Sequence, residues 1–182
     1  MTPLGHASIS FLVAVGVTKI IPQVDPNLIL IGTTTGGVIP DLDLLYRYIK
    51  TNGQNILDKN IGKHRYLPSH TPFFIISLGL IASILAVFLT NKILLIGIWF
   101  LVFGAILHLL LDTLFFPEGV NFIYPFSRKM TRFFYIKTPS FWAPKKISRV
   151  DDWHINYLTS PLFWISEMAP TFIAFVILLQ KL

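Results

Sequence analysis

In "GAILHLLLDTLF", residues 104 to 115, an imidazole and a carboxylate, His108 and Asp112, stand four residues apart in an otherwise apolar stretch. Positions i and i+4 share a helix face, so the pair can offer two ligands to one metal ion, or one ligand and the carboxylate that orients it. Two side chains that merely join packed helices would use the same spacing, but an ionisable group inside a bilayer costs roughly 2.5 to 3.5 kcal/mol and points to function by default. "GGVIPDLDLL" supplies Asp41 and Asp43 after Pro40. In helical conformation the two face different directions, so one is expected to bind a metal directly while the other supports it or serves a second ion. The plainer role of an Asp after Pro is to cap a helix or shape a turn.

"KHRYLPSHTP" contributes His64 and His70 with Arg65 between them. Six residues is too long a step for one helical face, yet Pro68 and Pro72 make the segment extended or turned, and both rings can then address one centre. Arg65 is the candidate catalytic residue, suited to bidentate pairing with a phosphate oxygen. His6, in "PLGHASIS", is weak evidence alone but joins Asp41, Asp43, His64, His70, His108 and Asp112 as a candidate, giving four histidines and two or three carboxylates for one site. The chain has no cysteine, which excludes thiolate sites and disulfides. These nitrogen and oxygen donors suffice for one or two divalent ions, zinc first, with manganese or iron also admissible. A centre of that kind activates water and polarises a phosphoryl oxygen, so hydrolysis is the chemistry it implies. His154, in "RVDDWHINY", reads as a surface residue; Glu167 reads as approaching the site or bonding a neighbouring helix, and both stay outside the ligand set. "GTTTGG", residues 32 to 37, lacks the Gly-Lys-Ser/Thr ending of a phosphate loop and reads as a close helix contact.

The elements that must position these residues are membrane-like. Of 182 residues, 53% are hydrophobic and only 13% charged, and mean hydropathy is +0.65, well outside the range of soluble domains. The expectation is an all-α, polytopic bundle of about four to five transmembrane helices, forming a single membrane-embedded domain over 1–182. Apolar segments lie at about 7 to 22, 27 to 45, 72 to 90, 93 to 115 and 160 to 180. The first has no basic lead and no small-residue cleavage site, so it is expected to be retained rather than removed as a signal peptide. "TNK", residues 90 to 92, makes a tight break that predicts an antiparallel hairpin of the third and fourth segments. The loops 46–71 and 116–159 hold twelve of the fifteen Lys and Arg residues, which places both in the cytoplasm and the N-terminus with them. On that threading, set by the basic loops alone, every candidate ligand falls at the cytoplasmic face.

His6 with the serines after it, "PDLD", "HRYLPSHT" and "HLLLDTLFFPEGVNFIYPFS", in that order, resemble the YdjM-like family of bacterial inner-membrane-associated proteins inferred to be metal-dependent hydrolases. The resemblance covers residues 1–130; residues 131–182 add a basic loop and a C-terminal helix. It implies a multi-pass hydrolase of the inner membrane with the seven residues above at its metal site. The order of His6, the acidic pair, a later His and His-x-x-x-Asp is more distantly similar to the zinc-dependent phospholipase C and single-strand nuclease group. That group carries an N-terminal tryptophan and further ligands after the His-x-x-x-Asp helix, which are missing here, so one or two ions are implied rather than three.

The leading expectation is therefore an enzyme: a metal-dependent hydrolase of a phosphoester, plausibly a lipid or lipid-linked phosphate. The partners are membrane lipids, since "RKMTRFFYIK" and "SFWAPKK" would lie on anionic head groups. A transporter or ion-coupled carrier is the first alternative, because intramembrane His and Asp also build ion paths, but no matching charges sit at the other face and no broken-helix repeats are evident. A regulatory membrane protein with basic cytoplasmic loops is the second; nucleic acid is disfavoured because no helix-turn-helix or zinc-finger spacing supports it. The absence of "HExxH" disfavours proteolysis.

Overall fold

The computed structural model describes residues 2–43, 46, 49, 67–115, 119–127, 129–131 and 161–180. Among these the fold is helical, with no strand; Val120 and Thr131 form one isolated antiparallel bridge. The main helices are α1 (Pro3–Ile20), α2 (Pro26–Gly36), α3 (Pro72–Phe88), α4 (Lys92–Phe115) and α5 (Ala169–Leu179), the last preceded by a short helix, Pro161–Phe163, and a π-helical turn, Trp164–Met168. Two single 3-10 turns, Ile39–Asp41 and Pro68–His70, follow α2 and precede α3.

Three helices start by the same local device. Thr2, Asp25 and Thr71 each cap a helix whose first residue is proline, their side-chain oxygens accepting from Gly5 N, Asn27 N and Phe74 N. A cap oxygen satisfies one of the orphan N–H groups, and proline at the first position has no N–H to lose. The α3–α4 hairpin forms as the sequence predicts: Thr90 takes φ 50° and Asn91 Oδ1 accepts from Leu94 N at 2.9 Å.

The second expected span is not one helix. α2 has only 11 residues, about 16 Å of helix, and beyond Gly36 the chain turns through Gly37 into the 3-10 turn over Pro40 and Asp41. Proline cannot continue the hydrogen-bond ladder of a helix interior, so the apolar run is broken after Gly36 by this turn, and helix resumes at Leu42 and Asp43. Among the described residues two helices are long and apolar enough to cross a membrane, Pro3–Ile20 and Lys92–Leu114; α3 and the C-terminal helix are shorter apolar helices.

Contacts fix the relative directions. Thr2 meets Glu167 and Ser8 meets Thr171, so α1 and α5 run the same way. Leu28 meets Gly97 while Thr33 and Gly37 meet Gly104, so α2 and α4 are parallel to each other. Short links make α1 and α2, and α3 and α4, antiparallel pairs, and the legs alternate in direction along the chain. The glycines of "GTTTGG" close the α2–α4 seam: a Cβ on Gly36 would overlap the Leu101 carbonyl and one on Gly104 the Thr33 carbonyl. Small residues allow such backbone approach where apolar side chains gain nothing by avoiding lipid. Ile75, Val102, Ala105, Leu109 and Val120 form the core between α3 and α4, while Leu80, Ile81, Leu85, Phe88, Phe172 and Phe175 are exposed on the outer faces.

Candidate metal centre

Four elements converge at the end of the bundle where α1 begins and α4 nears its finish. α1 brings His6, the turn after α2 brings Asp41, the turn before α3 brings His70, and α4 brings His108 and Asp112. The side chains of His6, His70, His108 and Asp112 are fully buried and Asp41 is nearly so.

His108 organises the group. Its Nδ1 lies 2.8 Å from the Gly37 carbonyl oxygen, which can only accept, so Nδ1 carries the proton and Nε2 presents its lone pair to the cluster. Nε2 is 3.7 Å from both Asp41 Oδ1 and Asp112 Oδ2. Ligands about 2.1 Å from a tetrahedral ion stand roughly 3.4 Å apart, so these spacings suit donors around a shared cation. The His6 ring stacks on His108 at 3.8 Å between centroids, with Nε2 3.2 Å from Asp112 Oδ1. His70 Nε2 is 3.7 Å from Asp41 Oδ1. Two triads, His6–Asp41–His108 and His70–His108–Asp112, each have ligand atoms within 4.8 Å of one another.

Buried polar atoms test whether an ion fits. His6 Nδ1 and His108 Nε2 are buried with no hydrogen-bond partner among the described residues. Such orphans are rare and costly unless something absent from the chain satisfies them. As metal ligands the imidazoles are neutral, so Asp41 and Asp112 set the local charge at two negative, which a divalent cation cancels. Burial pushes the Asp41 carboxyl up, while a hydrogen bond from His70 and the attraction of the His108 and His6 rings in their charged form pull it down, to about 2. The buried His and Asp groups could hold a metal ion.

Asp41 and Asp43 divide their roles by position. Asp41 faces two rings within the cluster, whereas Asp43 Oδ2 lies 3.6 Å from the outer nitrogen of His70, Nδ1, and accepts from Ser69 Oγ at 3.3 Å. Asp41→Asn is therefore expected to weaken metal binding about 100-fold, and Asp43→Asn about tenfold, the lower end of what an orienting partner contributes. Chelator competition on the two variants measures the ratio; equal losses would mean that both carboxylates ligate.

His64 and Arg65, and the surface candidate His154, lie outside the described residues. Glu167, set apart from the ligand set by the sequence, is buried against the start of α1 rather than in the cluster. The Gly37 carbonyl was not legible as a partner of His108, since a backbone oxygen leaves no side-chain signal; the only trace was the glycine pair that permits the approach.

A family model described as YdjM inner membrane protein matches residues 1–180, past the motif-bearing stretch 1–130 and through the C-terminal helix. No curated protein and no solved structure matches the chain.

Proposed function

The chain belongs to the YdjM inner membrane protein family, and from that membership and the buried cluster we propose a membrane-bound, metal-dependent hydrolase of phosphoesters, acting on a lipid or lipid-linked phosphate at the cytoplasmic face. The observation that carries the proposal is the pair of orphaned imidazole nitrogens, His6 Nδ1 and His108 Nε2, beside two buried carboxylates. The two triads share His108, whose single Nε2 lone pair serves one ion, so one divalent cation is the occupancy proposed. Zinc suits the mixed nitrogen and oxygen donors; manganese and iron are the alternatives. Bound there, a divalent ion would polarise a phosphoryl oxygen and make water acidic enough to attack it near neutral pH.

The chain's own residues do the rest. Asp41, His108 and Asp112 hold the cation, with His6 and His70 closing the set. Gly37 fixes the tautomer of His108, and Asp43 orients His70. Arg65, five residues before His70 in sequence, is assigned to a phosphate oxygen. The alternating legs put His6, Asp41, His70, His108 and Asp112 at one end, and the basic loops 46–71 and 116–159 leave from that same end, which favours a cytoplasmic N-terminus and a multi-pass chain. The exposed apolar faces of α3 and α5 support their lying in lipid beside α1 and α4.

The test is turnover by zinc- or manganese-loaded protein in mixed micelles, with p-nitrophenyl phosphate, bis-p-nitrophenyl phosphate and phosphatidic acid as probes. The expected result is phosphate or nitrophenol release that a chelator abolishes and metal restores. Folded, metal-loaded protein that cleaves none of them, yet carries ions or protons across sealed vesicles, would replace the hydrolase with the carrier.

A further inference from the structure

Glu167 is a buried carboxylate that the metal centre does not use. It is 3% exposed and sits in a π-helical turn, Trp164–Met168, that leads into α5. Pro170 has no N–H for the Ser166 carbonyl and its ring would clash there in a regular helix; the wider π turn accommodates both. The turn aims Glu167 at the start of α1. Oε1 accepts the Thr2 backbone N–H at 2.6 Å and Oε2 accepts the Thr2 hydroxyl at 2.5 Å.

That grip extends to His6 through two further hydrogen bonds that Thr2 accepts. Thr2 Oγ1 accepts from Gly5 N at 3.2 Å, and the Thr2 carbonyl accepts from His6 N at 3.1 Å. Only glycine fits at position 5, since a Cβ there would overlap the Glu167 carboxylate. One turn further, Ser8 Oγ donates its only proton to the Leu4 carbonyl at 2.8 Å and so accepts from Thr171 Oγ1 at 2.9 Å. His6 lies between these two fastenings, with its ring stacked on His108. A carboxylate at a helix N-terminus is also favoured by the helix dipole, which offsets part of the cost of burying it. Both oxygens accept from Thr2; an amide would keep both contacts only by reversing the hydroxyl bond, its NH2 donating to Thr2 Oγ1, and it would lose the negative charge that faces the start of α1.

We propose that Glu167 is a positioning residue for the metal centre, holding the first turn of α1 so that His6 meets His108 and Asp112. This rests on the reading of the cluster as a metal site. The test uses the full-length protein in detergent, with zinc affinity measured by competition with a chromophoric chelator for wild type, Glu167→Gln, His6→Ala and the double variant. Thr2→Val, which loses the hydroxyl but keeps the backbone N–H bond, replaces Glu167→Gln if the latter does not fold. Glu167→Gln is expected to weaken zinc binding 10- to 100-fold, the range for groups that orient a ligand, and to add nothing in the His6→Ala background. Equal losses in both backgrounds would mean general loosening, and no loss in the wild-type background would mean no role; either overturns the proposal while the metal reading stands. If wild type binds no zinc, the metal reading fails, and labelled-histidine NMR decides the clamp. A Glu167→Gln shift confined to the His6 ring supports it, and an unmoved His6 signal overturns it.

Discussion

Replacing His108 and Asp112 together by alanine is expected to abolish stoichiometric metal while leaving the helical fold in place. The two triads intersect at His108 and the second also uses Asp112, so the pair removes a ligand from one triad and two from the other. Losing a group that only orients a ligand already costs 10- to 100-fold in affinity, and losing two ligands should cost well over 1,000-fold. Protein purified without a polyhistidine tag and analysed by elemental mass spectrometry should carry about one equivalent of zinc, manganese or iron, and the variant under a tenth of that. A second readout follows from mass action. Metal at about 100 times its Kd stabilises a folded site by ~2.7 kcal/mol, so added zinc should raise the melting temperature of the wild type and leave the variant unmoved. Metal retained by a folded double variant would put the ion elsewhere. Wild type that takes up none of the three metals would end the metallohydrolase reading and bring the carrier forward.

The part of this site legible in sequence is the part written locally. His108 and Asp112 share one helix, so their spacing alone predicts a common face, and the structure places them so. The hairpin at Thr90 and Asn91 follows from a short link between apolar runs, and the alternating directions that bring His6, Asp41 and His70 to one end follow from the basic residues of the two long loops. What was not legible depends on distant or backbone partners. The break after Gly36 is one such feature: apolar content alone does not separate one long helix from a short one interrupted by a 3-10 turn, and Gly36, Gly37 and Pro40 carry the interruption. Glu167 is one acid in an apolar window, and its partner Thr2 lies 165 residues away. Pro170 hints at an irregular turn without saying what the turn presents. α3 and α5 expose apolar surface as lipid-facing helices do, yet each is shorter than the length that marks a span, so length and exposure weigh the same residues differently.

Gly104→Ala is expected to be among the most damaging single-methyl changes in the chain. A Cβ there would overlap the Thr33 carbonyl oxygen and lie 2.9 Å from Gly37 N, two atoms already bonded to each other at 3.0 Å in the last turn of α2. Neither is a flexible side chain that could swing aside, so α2 must move away from α4 as a whole. Overpacking costs about 1 to 3 kcal/mol, and a backbone obstacle places this change at the upper end. The consequence reaches the metal centre, because the displaced turn carries the carbonyl that holds His108 Nδ1 and leads directly to Asp41. Zinc affinity should therefore fall at least tenfold together with stability. Gly16→Ala supplies the contrast: a Cβ there meets nothing within 4 Å, so alanine inside α1 should be neutral or stabilising by up to about 1 kcal/mol. Thermal unfolding of both variants in one detergent, with and without zinc, measures the difference. A Gly104→Ala protein that melts and binds zinc like the wild type would show that the α2–α4 approach does not set the geometry of His108 and Asp41.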